Sequence, residues 1–359
     1  MGDVRTALAV SVGPRPDSTG CFASARQPSA AAALAATPSK GNTRPMKIGL
    51  NIAEVNSPRY TLAQIGELAA EAEAEGFASL WFANLSHSVD ALTVITMAGQ
   101  ATSTIELGTA VIPTYPRHPL ALAQQAATTN VFIGGRLLLG VGPSHAPVIE
   151  DMHGMSYEKP ARHVREYLEV LLPALRQGKV DFDGETYRVH AALSVAGNQP
   201  FPVLISALAP LMLRIAGELA DGTITWMAGR RAIETHVVPK ITAAASAAGR
   251  PSPRIVAGLP VAVCDDPALA RESAAKIFAG YGVLPNYRRV LDEGDYGTPA
   301  DVAVVGDEAT VEAEIRAFAS AGTTDFTAAT FPVGDDSDTR AANRRRTREL
   351  LKDLAKSSL

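Results

Sequence analysis

The feature that most constrains this chain is a regular alternation of short apolar strands with helices from Met46 onward. The strands are apolar along most of their length, which is typical of a parallel sheet covered on its outer face. Eight such units predict an α/β chain folded as a (β/α)8 TIM barrel with insertions. A doubly wound sheet would need a glycine-rich fingerprint after the first strand, and the sequence there, IAEVNSP, carries none.

The strand predictions rest on apolar runs rich in β-branched residues. The third strand begins at Ile105 and runs into a loop stiffened by Pro113, Pro116 and Pro119, which forbid further sheet pairing. The other predicted strands are Lys47–Ile52, Ser79–Ala83, Arg136–Val141, Pro202–Ala207, Thr223–Met227, Arg254–Val263 and Thr324–Phe331.

Capping residues and glycines predict where the helices begin and end. Thr61 and Asp90 are typical N-caps, and Gly76 is expected to end the first helix. We expect Pro173 to kink or end the helix Ala161–Arg176 early. The remaining stretches are predicted as helices, a hairpin and a loop: helices Leu120–Phe132, Pro210 to Asp221, Ile233–Ala248, Pro267–Tyr281, Asp307–Ala321 and Arg340–Leu354; a hairpin-like segment Gly178–Pro200 with its turn at Asp183-Gly184; and a loop rich in glycine and aspartate between Tyr281 and Asp307.

Composition changes sharply at Met46. Residues 1–45 are rich in Ala, Ser, Pro and Gly and show no sustained hydrophobic period, so we predict a disordered N-terminal tail. We place the barrel at residues 46–337 and a C-terminal helix packed on the barrel at residues 338–359.

Charge and cysteine content exclude several classes of protein. The 37 acidic residues outnumber the 33 basic ones, so no broad positive field is expected and nucleic acid is not a predicted partner. Cys21 and Cys264 lie far apart without CxxC spacing, which argues against disulfides and zinc and fits a reducing cytoplasm. No apolar run reaches the roughly 18 residues that a bilayer span needs, so no membrane partner is predicted.

Catalytic groups of such barrels come from the carboxyl ends of the strands. His145 follows the fourth strand directly, which favours a functional role, whereas His87 is equally well explained as a surface residue and His118 as a helix-entry residue. Scattered histidines and the absence of G-x-S-x-G argue against a metal site and a serine nucleophile. The polar and small residues at the predicted strand ends are Glu54, Asn56, Asn84, Ser86, His87, Thr114, Tyr115, Arg117, His118, Gly142, Pro143, Ser144, His145, Ser206, Ala207, Pro210 and Trp226.

Four stretches carry a resemblance to a known family: LGTAVIPTYPRHPLALAQQA, GGRLLLGVGPSHAPVIE, SALAPLMLRIAGELADGTITWMAG and VVGDEATVEAEIRAFASAG. The chain resembles the luciferase-like monooxygenase superfamily, and within it the bacterial oxidoreductases that use the deazaflavin coenzyme F-420 (F420 in protein names). The resemblance covers roughly Met46 to Phe331.

The resemblance implies a coenzyme site built from several strand ends. It implies a non-prolyl cis peptide at Ala110-Val111 behind the coenzyme ring, with Thr114 and the loop Gly142–His145 beside the ring. His145 corresponds to a polar residue near the reacting carbon. Asn84 and Leu85 replace the Asp and His of a sugar-phosphate dehydrogenase branch, so glucose-6-phosphate oxidation is not expected, and His87 is the nearest substitute for that histidine. The implied cofactor-binding residues are Asn84, Ala110, Val111, Thr114, Gly142, Pro143, Ser144, His145, Ser206, Ala207, Leu208, Ala209 and Pro210.

The resemblance therefore predicts an oxidoreductase that transfers a hydride between coenzyme F-420 and a small organic substrate, in a homodimer. His145 and His87 are the predicted catalytic residues, and Glu54, His87 and Trp226 the predicted substrate contacts. Two segments, Gly178–Pro200 and Tyr281–Thr298, are expected to form the specificity walls. The alternatives are an FMN-dependent two-component monooxygenase on the same barrel and a non-catalytic flavin-binding barrel.

Overall fold

Eight parallel strands close into a barrel in the computed structural model, which describes residues 45–52 and 61–357, with the side chains of Leu62 and Ala63 left out. The strands pair in the order β1-β2-β3-β5-β8-β9-β10-β12, and β12 pairs with β1 to close the ring, which confirms the predicted TIM barrel. The barrel strands are β1 Lys47–Asn51, β2 Ser79–Phe82, β3 Glu106–Thr109, β5 Leu137–Gly142, β8 Val203–Ile205, β9 Gly222–Trp226, β10 Arg254–Val263 and β12 Asp325–Thr330.

Four further strands lie outside this ring. The two-residue strand β4, Ile112–Pro113, pairs with the end of β5. The predicted hairpin is present as the antiparallel pair β6, Lys179–Asp183, and β7, Arg188–Ala192. β11, Val304–Gly306, adds to β10 at its carboxyl half.

The helices begin where the capping residues predict. The Thr61 side chain accepts a hydrogen bond from Gln64 N in a capping box, and Gly76 adopts a left-handed φ of 93° after the first helix. The helices are α1 Leu62–Glu75, α2 Ala91–Gln100, α3 Pro119–Phe132, α4 Pro160–Gln177, α5 Pro210–Leu219, α6 Arg230–Ala232, α7 Val238–Ala247, α8 Pro267–Phe278, α9 Pro285–Glu293, α10 Glu308–Ser320 and α11 Ser337–Lys356.

The predicted interruption at Pro173 is wrong, because α4 continues through it to Gln177. A proline inside a helix costs about 3 kcal/mol. Leu168, Leu171 and Leu172 are buried on the same helix, and each contributes about 1.5–3 kcal/mol of hydrophobic stabilisation. The free energy gained by burying this face of α4 therefore exceeds the cost of the proline inside the helix.

The stretch between α8 and α10, expected as a loop, contains the helix α9 and the strand β11. Only Val290 and Leu291 are buried in α9, so its apolar pattern is too sparse to stand out in the sequence. β11 is three residues long and depends on pairing with β10, which no local pattern reveals.

The barrel interior is divided into layers along its axis. At the amino ends of the strands, Arg254 contacts Asp325 (Nη2–Oδ1 2.5 Å) and Glu106 (Nη2–Oε2 2.8 Å), and Lys47 contacts Glu106 (2.9 Å). Above this ionic layer lies an apolar layer of Trp81, Leu138, Leu204, Ile224 and Val256. Both ends of the barrel are therefore chemically distinct, and the carboxyl end is left for a ligand.

Among the described residues, no helix combines the length and apolarity needed to cross a bilayer. The same residues contain no group of three or more His, Cys, Asp or Glu side chains arranged to hold a metal ion. Residues 1–44 of the predicted tail, which include Cys21, and the residues Glu54 and Asn56 lie outside the described residues.

Candidate functional site

A cavity of about 280 Å³ opens at the carboxyl ends of the barrel strands, above the apolar layer. Ten of the predicted site residues line it: Asn84, Ala110, Val111, Pro143, Ser144, His145, Ser206, Leu208, Ala209 and Trp226. The lining also includes Tyr281, Leu284, Asn286 and Tyr287 from a predicted specificity wall, and residues outside the predicted site set, namely Asn51, Ala83, Leu85, Pro113, Met212, Ile224, Thr225 and Thr327.

One wall of the cavity is the end of the third barrel strand. The peptide bond between Ala110 and Val111 is cis, as the resemblance implied. Both side chains pack against the apolar layer and also line the cavity. The wall at this point is therefore apolar.

Gly142 lets neighbouring strand ends approach this wall closely. A Cβ at Gly142 would lie 2.1 Å from Ser206 Oγ and 3.0 Å from Val111 Cγ2. The first distance is shorter than any ordinary Cβ contact, so a side chain at this position would displace Ser206. The residue is itself buried and lies behind the lining. Its role is to bring Ser206 and Val111 to the same side of the cavity.

The loop that follows β5 presents His145. Ser144 has a left-handed φ of 62°, and its carbonyl oxygen accepts a hydrogen bond from the Tyr157 hydroxyl at 2.9 Å. The His145 ring lies 5.3 Å from the Tyr287 ring, measured between centroids. Burial lowers the pKa of His145 below its ordinary value of 6.5, so the imidazole is neutral at pH 7. A neutral imidazole can accept a proton from a bound ligand.

The start of α5 forms a second wall. Ala209 is the N-cap and Pro210 the first helical residue, and no side chain caps this end. Leu208 O accepts a hydrogen bond from Nε2 of the buried His236 at 2.7 Å. His236 Nδ1 lies 3.1 Å from a Glu293 carboxylate oxygen, so this histidine connects the loop before α5 to α9.

A third wall is aromatic. The rings of Trp226 and Tyr281 meet edge to face at a centroid distance of 5.9 Å, and those of Tyr281 and Tyr287 at 5.0 Å. Burial raises the pKa of Tyr281 and of Tyr287, so both phenols remain protonated at neutral pH. We call these three residues, Trp226, Tyr281 and Tyr287, the aromatic wall.

Three lining residues carry buried polar atoms without a hydrogen-bond partner. They are Trp226 Nε1 at the end of β9, Asn51 Oδ1 at the end of β1 and Thr327 Oγ1 within β12, and the last two lie close together. Gly49 pairs with Thr327 across the two strands, so Asn51, two residues further on the same face, is its diagonal neighbour. Buried polar groups in proteins are normally satisfied, which marks this pair as a place for a ligand atom.

Several predicted residues are not brought to the cavity. His87 is exposed and does not line it, and Thr114 is fully buried behind it. Ala207 is also buried, and Pro210 is exposed at the helix start. Glu54, a predicted substrate contact, lies outside the described residues.

Thr114 instead bonds to a buried histidine. His163 Nε2 lies 2.9 Å from Thr114 Oγ1, and the His163 ring stacks on Tyr115 at 3.7 Å. Burial lowers the pKa of His163 to about 4, so this imidazole is neutral at physiological pH. The pair joins α4 to the loop after β4 and supports the wall from behind.

Of the two segments predicted as specificity walls, one lines the cavity and the other does not. Tyr281, Leu284, Asn286 and Tyr287 line the cavity, whereas no residue of the 178–200 hairpin does. The hairpin packs on α4, where the Glu166 carboxylate accepts hydrogen bonds from three backbone amides of its turn. Inward alternation along β1 and β12 was the available signal for Asn51 and Thr327, and a strand-end position was the signal for Trp226. No local pattern pointed to Tyr281 and Tyr287 individually.

Comparison with known proteins places these features in a family context. The family model for luciferase-like monooxygenases matches residues 46–351. The chain is 28% identical over 320 residues to 5,10-methylenetetrahydromethanopterin reductase from Methanopyrus kandleri, covering 77% of this chain and 90% of the relative. It is 26% identical over 286 residues to F420-dependent glucose-6-phosphate dehydrogenase from Kineococcus radiotolerans, covering 75% and 82%.

A solved structure supports the fold. The oxygenating constituent of 3,6-diketocamphane monooxygenase from Pseudomonas putida, in complex with FMN, superposes with a TM-score of 0.66. That likeness covers 88% of this chain and 99% of the neighbour at 18% identity.

Proposed function

The chain belongs to the luciferase-like monooxygenase family, and from that premise we propose that it is an oxidoreductase that transfers a hydride between coenzyme F-420 and a small organic substrate. The observation that carries the proposal is the cavity at the strand ends, where the apolar wall at Ala110-Val111, His145 and the start of α5 line one space. The relative named F420-dependent glucose-6-phosphate dehydrogenase supports the choice of coenzyme.

The residues present fit such a coenzyme. A flat tricyclic ring needs an apolar backing, which Ala110 and Val111 offer, and Gly142 keeps the space beside Ser206 free of a side chain. A phosphate group suits the uncapped start of α5, since free backbone N–H groups and the helix dipole favour an anion there. We assign the ring to the first surface and the phosphate to Ser206, Leu208 and Ala209.

A deazaflavin coenzyme supplies hydride chemistry, and the protein supplies orientation and proton handling. A ring nitrogen of His145 takes the proton of a substrate hydroxyl in one direction and returns it to a carbonyl oxygen in the other. Tyr157 holds the Ser144 carbonyl and so fixes the loop from which His145 projects. The aromatic wall gives the cavity an apolar side where the body of a substrate can pack.

The second candidate is an FMN-dependent two-component monooxygenase on the same barrel. The name of the family and the FMN bound in the Pseudomonas putida neighbour favour it. A non-catalytic flavin carrier is a third candidate function, in which a coenzyme binds tightly but no substrate is converted.

A titration of the purified protein with each coenzyme separates these candidates. We expect coenzyme F-420 to bind at micromolar concentration or tighter, followed by its fluorescence, and FMN to bind at least about 100-fold more weakly, a difference of about 2.7 kcal/mol. Tighter binding of FMN would overturn the proposal in favour of the monooxygenase. Tight binding of coenzyme F-420 without turnover across a panel of alcohols and ketones would favour the carrier.

A further inference from the structure

We propose that the substrate of this site is an uncharged molecule, which presents one hydroxyl or carbonyl group to Asn51 and Thr327 and an apolar body to the aromatic wall. The inference deepens the proposed function and rests on it. It concerns the part of the cavity away from the start of α5.

The charge of the lining argues for an uncharged substrate. Among the described residues that line the cavity there is no Lys, Arg, Asp or Glu. A phosphate at the start of α5 meets backbone N–H groups, but a phosphate ester or carboxylate elsewhere in this cavity loses its hydration without gaining an opposite charge, which is strongly unfavourable. The cation inside the barrel, Arg254, is at the opposite end and is already paired with Glu106 and Asp325.

The polar end of the site is the pair Asn51 and Thr327. Thr327 is fully buried, and neither its hydroxyl oxygen nor Asn51 Oδ1 has a hydrogen-bond partner within the protein. The oxygen of a substrate hydroxyl can accept a hydrogen bond from the Thr327 hydroxyl, which leaves the substrate's own hydroxyl proton for His145. A carbonyl oxygen at the same place accepts from the Thr327 hydroxyl.

The apolar end of the site is the aromatic wall. Its rings pack edge to face, Trp226 on Tyr281 and Tyr281 on Tyr287. A Cβ at Gly258 would lie 3.2 Å from Trp226 Cε3 and 3.3 Å from Thr327 Cγ2. Gly258 pairs with Trp226 on one side and with Thr327 on the other, so the polar end and the first ring of the aromatic wall lie one strand apart.

The neighbouring Leu85 adds to the apolar surface of the lining. It is an apolar residue at the mouth, where a sugar phosphate would need polar or cationic partners. The apolar lining therefore favours an alcohol or ketone with a hydrocarbon body over a phosphorylated sugar as the substrate.

Ligand binding to the full-length protein, saturated with coenzyme F-420, tests the proposal. The probes are cyclohexanol, cyclohexanone, cyclohexanecarboxylate and glucose 6-phosphate, measured by isothermal titration calorimetry and by the shift in Tm. We expect the alcohol and the ketone to bind at least about tenfold more tightly than both anions. Equal or tighter binding of either anion, or no binding of the uncharged pair, overturns the proposal.

Variants of Thr327 test the polar end. Thr327→Val removes the hydroxyl at nearly constant volume and should weaken cyclohexanol binding about fivefold, whereas Thr327→Ser should retain it. The control is Thr323→Val, because Thr323 Oγ1 is also buried and unpartnered but does not line the cavity. Equal effects of the Thr327→Val and Thr323→Val changes contradict the assignment.

The coenzyme titration keeps the two proposals distinguishable. If coenzyme F-420 fails to bind the unmodified protein, the proposed function fails. If it binds and the anions compete best for the remaining space, only the substrate inference fails.

Discussion

Burial of His145 beside Tyr287 determines how this residue handles a proton. Since burial disfavours the charged imidazolium, the pKa of His145 in the folded protein is below the ordinary 6.5. The neutral form is needed to accept a proton from an alcohol, so oxidation should be lost only as the pH falls through this lowered pKa. The acid limb of kcat/KM in that direction is therefore expected below pH 6.5.

Replacement of His145 should remove that limb. For His145→Gln we expect kcat to fall at least about 100-fold, the contribution typical of a positioned acid or base, with coenzyme affinity nearly unchanged. Measurement of kcat/KM against pH and a coenzyme titration check both parts. His87→Gln is the matched control, because His87 is exposed and does not line the cavity. A larger loss in the His87 variant would return that residue to the mechanism.

The elements that frame the cavity are connected by His236. Its Nε2–H donates to Leu208 O in the loop before α5, while Nδ1 faces Glu293 at the end of α9 and Lys240 Nζ, 3.0 Å away, on α7. Nε2 must carry a proton, since a carbonyl oxygen only accepts. Three elements therefore depend on one buried ring for their relative positions.

A change at His236 should loosen the loop before α5, where we place the coenzyme phosphate, without unfolding the barrel. For His236→Leu we expect coenzyme affinity to fall about tenfold, because Leu208 O loses its buried donor at a cost of about 1–3 kcal/mol. His190→Leu, in the exposed strand β7, serves as the control. Calorimetric titration of both variants measures the effect, and equal affinities would show that the loop is held by other contacts.

In the whole molecule, the ion pairs that stabilise the barrel lie at the end opposite the ligand cavity. Burial alone would raise the pKa of Glu106, but hydrogen bonds from Arg254 and Lys47 lower it below its ordinary value. This carboxylate therefore contributes stability above the unfolded-state pKa near 4.5, and the contribution is lost as the pH falls through the lowered folded value. The ionic layer lies at the amino end, with the apolar layer between it and the cavity.

Loss of the central cation should destabilise the barrel and leave the site intact. For Arg254→Met we expect the free energy of unfolding to fall by about 3–5 kcal/mol, because the buried Asp325 loses its partner and the half-buried Glu106 keeps only Lys47. Denaturant unfolding measures this change, and a coenzyme titration below the transition should give the unmodified affinity. Arg316→Met, which breaks an exposed pair with Glu312 on α10, should cost at most about 0.5 kcal/mol. A coenzyme affinity that falls with Arg254→Met would contradict the separation.

Local chemistry in the sequence determined the eight barrel strands and the capped helices. Strand β10 follows its apolar run from Arg254 to Val263, and α1 lies between the cap Thr61 and Gly76. Such signals are short-range, because capping, turn geometry and apolar periodicity act within a few residues. They were also sufficient to place His145 directly after a barrel strand.

Tertiary structure alone decided which side chains share the cavity. Asn51 and Thr327 are 276 positions apart, yet strand pairing makes them neighbours. The helix α9, with its few buried residues, has no strong pattern of its own but supplies Tyr287. Burial of its apolar face lets α4 continue through Pro173. Packing also places His145 at the cavity and His87 at the surface, and it buries Thr114, where its hydroxyl contacts His163. Closure of the barrel and packing between distant elements set these outcomes, and no local propensity encodes them.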